Sequence, residues 1–547
     1  MSQHPSCSAG SLSALRLSMQ IEENPASDQR EGSASRFNLR FVLKACIFAT
    51  GVAGIVAEYV MSTLATYLLG NAVLQWTLTI SLMLFAMGLG SRLSKHIRTS
   101  LLDAFLLIEF VLSLICAVSV CLAYLLSAYI QNVAPVIYTL AFIIGLLIGL
   151  EIPLALRLNN FFEELRINVS SVMEKDYYGA LVGGLLFAFF ALPQLGLTYT
   201  PIALGTINFL VASVLFVRYR SLLKFRKGLT LGFVTVPILL VLVSLMAQPI
   251  ILYGEQQKYR DRVIYQKQTP YQRIVMTQWK DDFWLYLDGN EQFSSYDEER
   301  YHEPLVHPSM GISASRKQIL VLGGGDGLAA REILKYPEVE RVVIVDIDSA
   351  VTALARSHPM FLRLNQGVLD DSRIEIVNRD AHAYLRDDSS RYDVIIIDLP
   401  DPKSANLARL YTVQFYRTAA QHLGPGGVLV TQATSPFFSK TAFLSILKSV
   451  RAAELVAVAY HNHIPTLGEW GWVVGIKAPG VEEEQLKRKL SRLTFDELPT
   501  RFLNQDAMVS MLNFGKGVMD QLEEISISEE LDLAVHRYYR EGAWDLY

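Results

Sequence analysis

ILVLGGGDGLAAREILKYPEVERVVIVDID, residues 319–348, holds the pattern that decides the fold. A strand-like run from Gln318 to Leu322 meets a glycine cluster of Gly323, Gly324, Gly325 and Gly327. A helical segment follows, then a second apolar run, Val342 to Val345, ending in Asp346. Strand, tight turn, helix and strand with a terminal carboxylate form a unit that binds a nucleoside. The glycines let a ligand approach the backbone, and the acid accepts hydrogen bonds from ribose hydroxyls. The turn reads GGGDG and not GxGxxG, so Asp326 sets a negative charge where a dinucleotide would place its pyrophosphate. The expected ligand lacks phosphate and carries positive charge, as an S-adenosyl sulfonium compound does.

Outward from this unit, strand-like runs at 319–322, 342–345, 374–377, 393–397 and 427–431 alternate with helical patterns. The alternation predicts a doubly wound parallel sheet of Rossmann-like α/β type, with ligands at the carboxyl ends of its strands. Acids fall at those ends: Asp326 after the first strand, Asp346 at the second, Asp380 after the third, Asp398 and Asp401 after the fourth. One such acid has a plain explanation as a helix cap; five at four successive strand ends do not. A site this negative favours a cationic ligand. An amine acceptor would be protonated near neutral pH, since alkylammonium groups titrate near ~10. A positioned Asp can take the attacking nitrogen's proton while another acid holds a distal ammonium. The sulfonium is already a leaving group, so neither a metal nor a cofactor is expected.

Residues 263–293 read as short antiparallel strands with turns at Lys280–Asp282 and Asp288-Gly289-Asn290. Before them the chain changes character. Of 547 residues 51% are hydrophobic, mean hydropathy is +0.28, and the apolar residues concentrate before residue 253. Apolar segments occupy about 41–69, 74–91, 104–129, 134–156, 178–198, 200–217 and 228–252, most reaching the ~20 residues that span a bilayer. Small residues recur at close-packing spacing, as in Gly145/Gly149 and Gly179/Gly183. Loops near 70–73, 130–133 and 195–199 lack Lys and Arg, whereas 92–98, 157–176 and 218–227 are basic. The positive-inside rule then places the N-terminus and the basic loops in the cytoplasm. Seven crossings would put the C-terminal half outside, yet Lys258, Arg260 and Arg262 are basic. Pro237 and Pro249 make 228–252 a candidate re-entrant or interfacial segment, so a cytosolic catalytic half is expected.

Glu58, Glu109 and Glu151 lie inside apolar stretches, where carboxylates are costly and often functional. They read either as a path for a polycation or, more plainly, as helix-to-helix hydrogen bonding or positions near the interface. The first ~37 residues read as a disordered polar tail, with no long apolar stretch before a small-residue cleavage site. The four cysteines, Cys7, Cys46, Cys116 and Cys121, have no CxxC spacing and indicate neither zinc nor a disulfide framework. The net charge of −4 and the lack of a basic patch give no nucleic-acid signal. The expected organisation is tail 1–37, transmembrane domain 38–253, small β domain 254–312 and Rossmann-like domain 313–547.

The segments YQRI (271–274), LDGNEQFSSYDEERYHEPLVHP (287–308), LGGGDG (322–327), VDID (345–348), NRDAHAYL (378–385), YDVIIIDLPDP (392–402) and LYTVQFY (410–416), in this order and spacing, resemble the spermidine synthase (polyamine aminopropyltransferase) family. The whole chain resembles its membrane-fused branch. The resemblance implies transfer of an aminopropyl group from decarboxylated S-adenosylmethionine, a co-substrate, to putrescine, and a homo-oligomer. It further implies that Gln272, Asp326, Asp346, Asp380 and Ala381 bind the donor. Tyr301, His302, Asp326, Asp401 and Gln432 would serve the polyamine, with Asp398 as proton acceptor. His302 also reads as an ordinary loop histidine bonded to backbone. Asp346 replaces the family's Glu, Lys403-Ser404 its Gly-Pro, and Leu467 a tyrosine that contacts the acceptor; Glu469 and Trp470 follow. The donor side is thus intact and the acceptor side altered. Two other readings stand beside this one: an amine methyltransferase on the same fold, which would prefer the donor with its carboxylate, and a membrane polyamine transporter or sensor with a regulatory nucleoside-binding domain.

Overall fold

The computed structural model describes residues 29–547 except 71, 131, 160–164, 479 and 545–547. The chain divides into two compact units, Met1–Arg260 and Asp261–Tyr547. Most of the expected polar tail lies outside the described residues. Its last part does not stay irregular, because a helix starts at Gln29.

The first unit is helical: α1 Gln29–Leu69, α2 Ala72–Ser94, α3 Leu101–Ser127, α4 Ala134–Asn159, α5 Leu165–Leu186, α6 Gly196–Tyr219 and α7 Arg226–Gln256. Among the described residues six helices are long and apolar enough to cross a membrane, with Arg166–Leu222 counted as one of 57 residues. At 1.5 Å per residue that stretch runs about 85 Å, far beyond a ~30 Å hydrocarbon core. It is divided where Phe187–Leu195, a π-helical stretch holding Pro193, meets Gly196 (φ 62, ψ −173). The apolar segments expected at 178–198 and 200–217 thus form two helices joined at that glycine. The re-entrant expectation for 228–252 fails: α7 is one continuous 31-residue helix with Pro237 and Pro249 inside it. Close packing is built where the small residues recur. A Cβ on Gly145 or Gly149 would lie 2.8 or 2.1 Å from the Met83 or Met87 carbonyl of α2. One on Gly179 or Gly183 would lie 2.2 or 2.7 Å from Phe48 or Val52 oxygen of α1.

The second unit opens with an antiparallel sheet in chain order, β1 Arg262–Gln268, β2 Arg273–Trp279, β3 Asp282–Leu287 and β4 Asn290–Ser294. Its turns fall where the sequence places them, with Lys280, Asp288 and Gly289 at φ 56, 50 and 77. Next comes α8, Glu299–Ile312, which packs on the strands of the larger sheet, so the small β unit ends before residue 299, short of 312.

The larger sheet holds β5 Gln318–Gly323, β6 Arg341–Val345, β7 Ile374–Val377, β8 Tyr392–Asp398, β9 Leu423–Gln432, β10 Val456–Ile464 and β11 Gly468–Ile476, in the order β10-β11-β9-β8-β5-β6-β7. The five strands read from sequence are parallel. The sheet is not wholly parallel, however: β11 runs antiparallel to both β9 and β10. In β5, Ile319 and Val321 enter one apolar core while Leu320 and Leu322 enter the other. Burial on both faces is why this strand reads as an unbroken apolar run. Strand order reverses between β5 and β8, where Gly323 pairs with Asp398. That switch point is where a doubly wound sheet opens to a ligand.

Candidate active site

At the switch point the chain ends pass so close that only glycine fits. Gly323 has φ 88, and a Cβ there would sit 1.9 Å from the Asp398 carbonyl oxygen. A Cβ on Gly325 would meet Asp346 Oδ2 at 2.4 Å, and its N–H instead donates to that oxygen at 3.1 Å. Asp346 Oδ1 accepts from Asp348 N–H at 2.8 Å. Burial, with the charges of Asp326 and Asp348, pushes the Asp346 carboxyl up to about 6 against those two backbone bonds.

Asp348, which the sequence reading passed over, ties three elements together. Its Oδ2 accepts from Thr269 Oγ1 at 2.7 Å and from Gln272 Nε2 at 3.1 Å, and its Oδ1 caps the helix Ser349–Ser357 through Ala350 N–H at 3.0 Å. The expected donor residue Gln272 is therefore held from the small sheet against the end of β6. Asp380 is exposed and caps the helix Ala381–Asp387 by accepting from Ala383 N–H at 2.8 Å, while Ala381 is buried. Asp326 lies in the turn and accepts from Leu328 N–H at 2.8 Å.

His302, Asp326 and Asp398 converge, with one ligand-capable atom of each within 4.8 Å of the others. Tyr301 Oη donates to Asp398 Oδ1 at 2.7 Å. Burial pushes the Asp398 carboxyl up to about 6, aided by Asp326 and opposed by His302 and by the Tyr301 bond. His302 sits on α8, not in a loop, and is 2% exposed. Its Nδ1 bonds both the Glu298 carbonyl and Glu298 Oε2, each at 3.0 Å. Burial alone would favour neutral imidazole; the bond to Glu298 and that residue's charge outweigh it and raise His302. His302 thus stands fixed by Glu298 beside two carboxylates, Asp326 and Asp398. Glu298 itself was not singled out from sequence. It is 1% exposed and also accepts from Arg331 Nη2 at 2.9 Å and from Arg501.

The residues expected to serve the acceptor are drawn from more distant parts of the chain. Asp401 is 8% exposed; its Oδ1 accepts from Gln432 Nε2 at 3.2 Å and its Oδ2 from Tyr539 Oη at 3.0 Å. Burial raises its carboxyl, and the Lys403 charge is the largest opposing effect. Gln432 is fixed at both ends, donating to Leu399 O at 2.7 Å and accepting from Thr434 N–H at 2.8 Å. Tyr411 also bonds Gln432. Tyr411 falls inside the LYTVQFY segment but was given no role from sequence, and Tyr539 carries no sequence signal, since its partner Asp401 lies 138 residues away. Leu467 is buried in the apolar core beside Tyr301. Of the two residues that follow, Glu469 is engaged by His461, whereas the Trp470 ring stands 6.5 Å from that of Tyr301 and Trp472 5.6 Å. Of these two, Trp470 is the one whose ring comes near Tyr301.

A family model described as the spermine/spermidine synthase domain matches residues 298–487. The chain is 43% identical over 480 residues to polyamine aminopropyltransferase 2 of Aquifex aeolicus strain VF5, covering 87% of this chain and 94% of that one. It is 37% identical over 504 residues to the polyamine aminopropyltransferase of Oceanobacillus iheyensis, covering 91% and 96%. Among solved structures, the spermidine synthase of Thermotoga maritima aligns over 48% of this chain and 88% of its own, at 28% identity and a TM-score of 0.43.

Proposed function

The chain belongs to the polyamine aminopropyltransferase family and is a transferase of aminopropyl groups, and from that premise we propose that it forms spermidine and 5′-methylthioadenosine from putrescine and decarboxylated S-adenosylmethionine. The observation that carries the reading is the convergence of His302, Asp326 and Asp398 at the sheet's switch point. In this reading Gln272, Asp346, Asp380 and Ala381 bind the nucleoside, and Asp326 holds the donor's aminopropyl ammonium. Asp398 takes a proton from the attacking amine, whose nitrogen forms a bond to the aminopropyl carbon as the carbon–sulfur bond breaks. The electron pair leaves on sulfur as a thioether, so no cofactor enters the step. Asp401 and Gln432 hold the acceptor's far ammonium, while Tyr301 and His302 line its path. The Tyr301 bond favours ionised Asp398, the form that accepts a proton.

The test is methylthioadenosine release from decarboxylated S-adenosylmethionine with a panel of amines, read by mass spectrometry. Release with putrescine and appearance of spermidine are expected. Release only with another amine would mean that the changes at Lys403 and Leu467 have moved the acceptor. No release with any amine would overturn the reading.

We further propose that the helical unit embeds the enzyme in a cell membrane, with the catalytic unit facing the cytosol and the chains forming a homo-oligomer. Lys258, Arg260 and Arg262 after α7 support that orientation by the positive-inside rule. It requires one of the seven helices to lie in the bilayer without crossing. Single cysteines placed at exposed Tyr271 and in the basic 218–227 loop should both resist an impermeant thiol reagent in intact cells; labelling of the former alone would reverse the orientation. The oligomer is checked by the mass of the detergent-solubilised protein against 61.3 kDa for one chain.

A further inference from the structure

The helical unit buries polar groups that the transfer chemistry does not use. Glu109 on α3 is 0% exposed, and neither of its carboxylate oxygens has a hydrogen-bond partner. Glu151 on α4 is 3% exposed with Oε1 unpartnered. Helix-to-helix hydrogen bonding, the plainer reading of these acids, therefore does not account for Glu109. Among the described residues neither acid forms an ion pair. The one basic residue of α4, Arg157, spends its guanidinium on the Ile97 and Ser94 carbonyls at 2.7 and 2.8 Å.

A third buried polar group is also unpartnered. Asn208 on α6 is 1% exposed, and both ends of its amide lack partners. The register between α3 and α6 shows where it points. Ser113 Oγ donates to the Gly205 carbonyl at 2.6 Å, and the Phe110 and Phe209 rings lie 5.9 Å apart. The helices run antiparallel. Glu109 is one turn before Ser113 on the same face, and Asn208 is one turn after Gly205 on its face, so the two meet at one level. Glu151 lies on α4, which also packs against α3.

We propose that this interior is a binding site for a primary alkylammonium group, held by Glu109, Glu151 and Asn208. Two unpaired acids in apolar surroundings call for a cation. The unpartnered oxygens number four, fewer than the six to eight that calcium takes. An ammonium offers three donors and carries its own apolar chain, which suits the surrounding Leu, Val and Ile of the bundle. The assignment stands apart from the catalytic reading, because it uses none of that site's residues.

The test uses the full-length protein in lipid nanodiscs and equilibrium binding of radiolabelled putrescine and of n-butylamine. Two putrescine sites per chain are expected. Glu109→Gln with Glu151→Gln should remove one and leave methylthioadenosine release unchanged, while Asp401→Asn should remove the other. Because exchange of two buried acids can itself impair folding, Asn208→Leu serves as the second variant and should weaken the same site at least about 10-fold. Putrescine binding that Asp401→Asn abolishes and the glutamine pair leaves untouched would overturn the proposal. So would a second site that survives both variants, or one that sodium or magnesium fills in place of the amine.

Discussion

Asp398→Asn is expected to lower kcat by about a hundred- to ten-thousand-fold, the range over which a positioned general base acts, while the dissociation constant for decarboxylated S-adenosylmethionine changes no more than a few-fold. The asparagine keeps the shape and the partner, since its amide can still meet the Tyr301 hydroxyl. What it loses is the ability to take a proton. The pH profile adds a second signature. Burial pushes the Asp398 carboxyl up to about 6, so wild-type kcat/KM should rise with pH through an acid limb near that value, as the carboxylate ionises. The residual activity of the variant should lack the limb. Methylthioadenosine release and calorimetric donor binding check both statements, and turnover near wild type would remove Asp398 from the mechanism.

The largest effect on stability is expected from Glu298→Gln. Glu298 is 1% exposed and is gripped by His302, Arg331 and Arg501. Burial by itself would push its carboxyl up, but the bonds and charges of His302 and Arg331 prevail and hold it at about 2. A folded value below the unfolded one means that this contribution is complete above the ordinary carboxylate range, near 4.5, and is lost as pH falls toward 2. Glutamine keeps the volume and leaves Arg331, 7% exposed, to share only Glu332. Breaking one side of a buried ion pair costs about 3–5 kcal/mol, a fall in Tm on the order of 10 °C for a unit of this size. The difference between wild type and variant should shrink as the pH is lowered. An unchanged Tm at neutral pH would mean that the cluster contributes little.

The parallel strands and the acids at their ends were legible because each rests on local pattern: an apolar run of a few residues followed by glycine or aspartate. The β10–β11 hairpin was not. His461, Asn462 and His463, with Gly468, Gly471 and Gly475, interrupt both strands with residues that strands disfavour, and only pairing with β9 overrides that preference. Helix α8 was hidden for a similar reason, carrying Pro304 and Pro308 inside it. The helical segments before residue 253 were visible as apolar stretches, but their continuity was not, since two prolines suggested a break in α7 that neighbouring turns absorb. In the site, residue identity pointed to Asp326, Asp346, Asp398 and Asp401. It did not show that Asp348 holds Gln272, because that link joins elements 76 residues apart; the Glu298–His302 pair, one turn apart at the start of α8, was within reach of a local reading and was missed.

The two halves of the site also differ in how far along the chain their parts must travel to meet. Gly325 and Asp346 are separated by 21 residues, Asp401 and Tyr539 by 138. Closing the longer loop costs more chain entropy, so the Asp401–Tyr539 bond forms against a larger opposing cost than the Gly325–Asp346 bond. The hydroxyl of Tyr539 works as a latch, satisfied only once almost the entire unit has been wound into place.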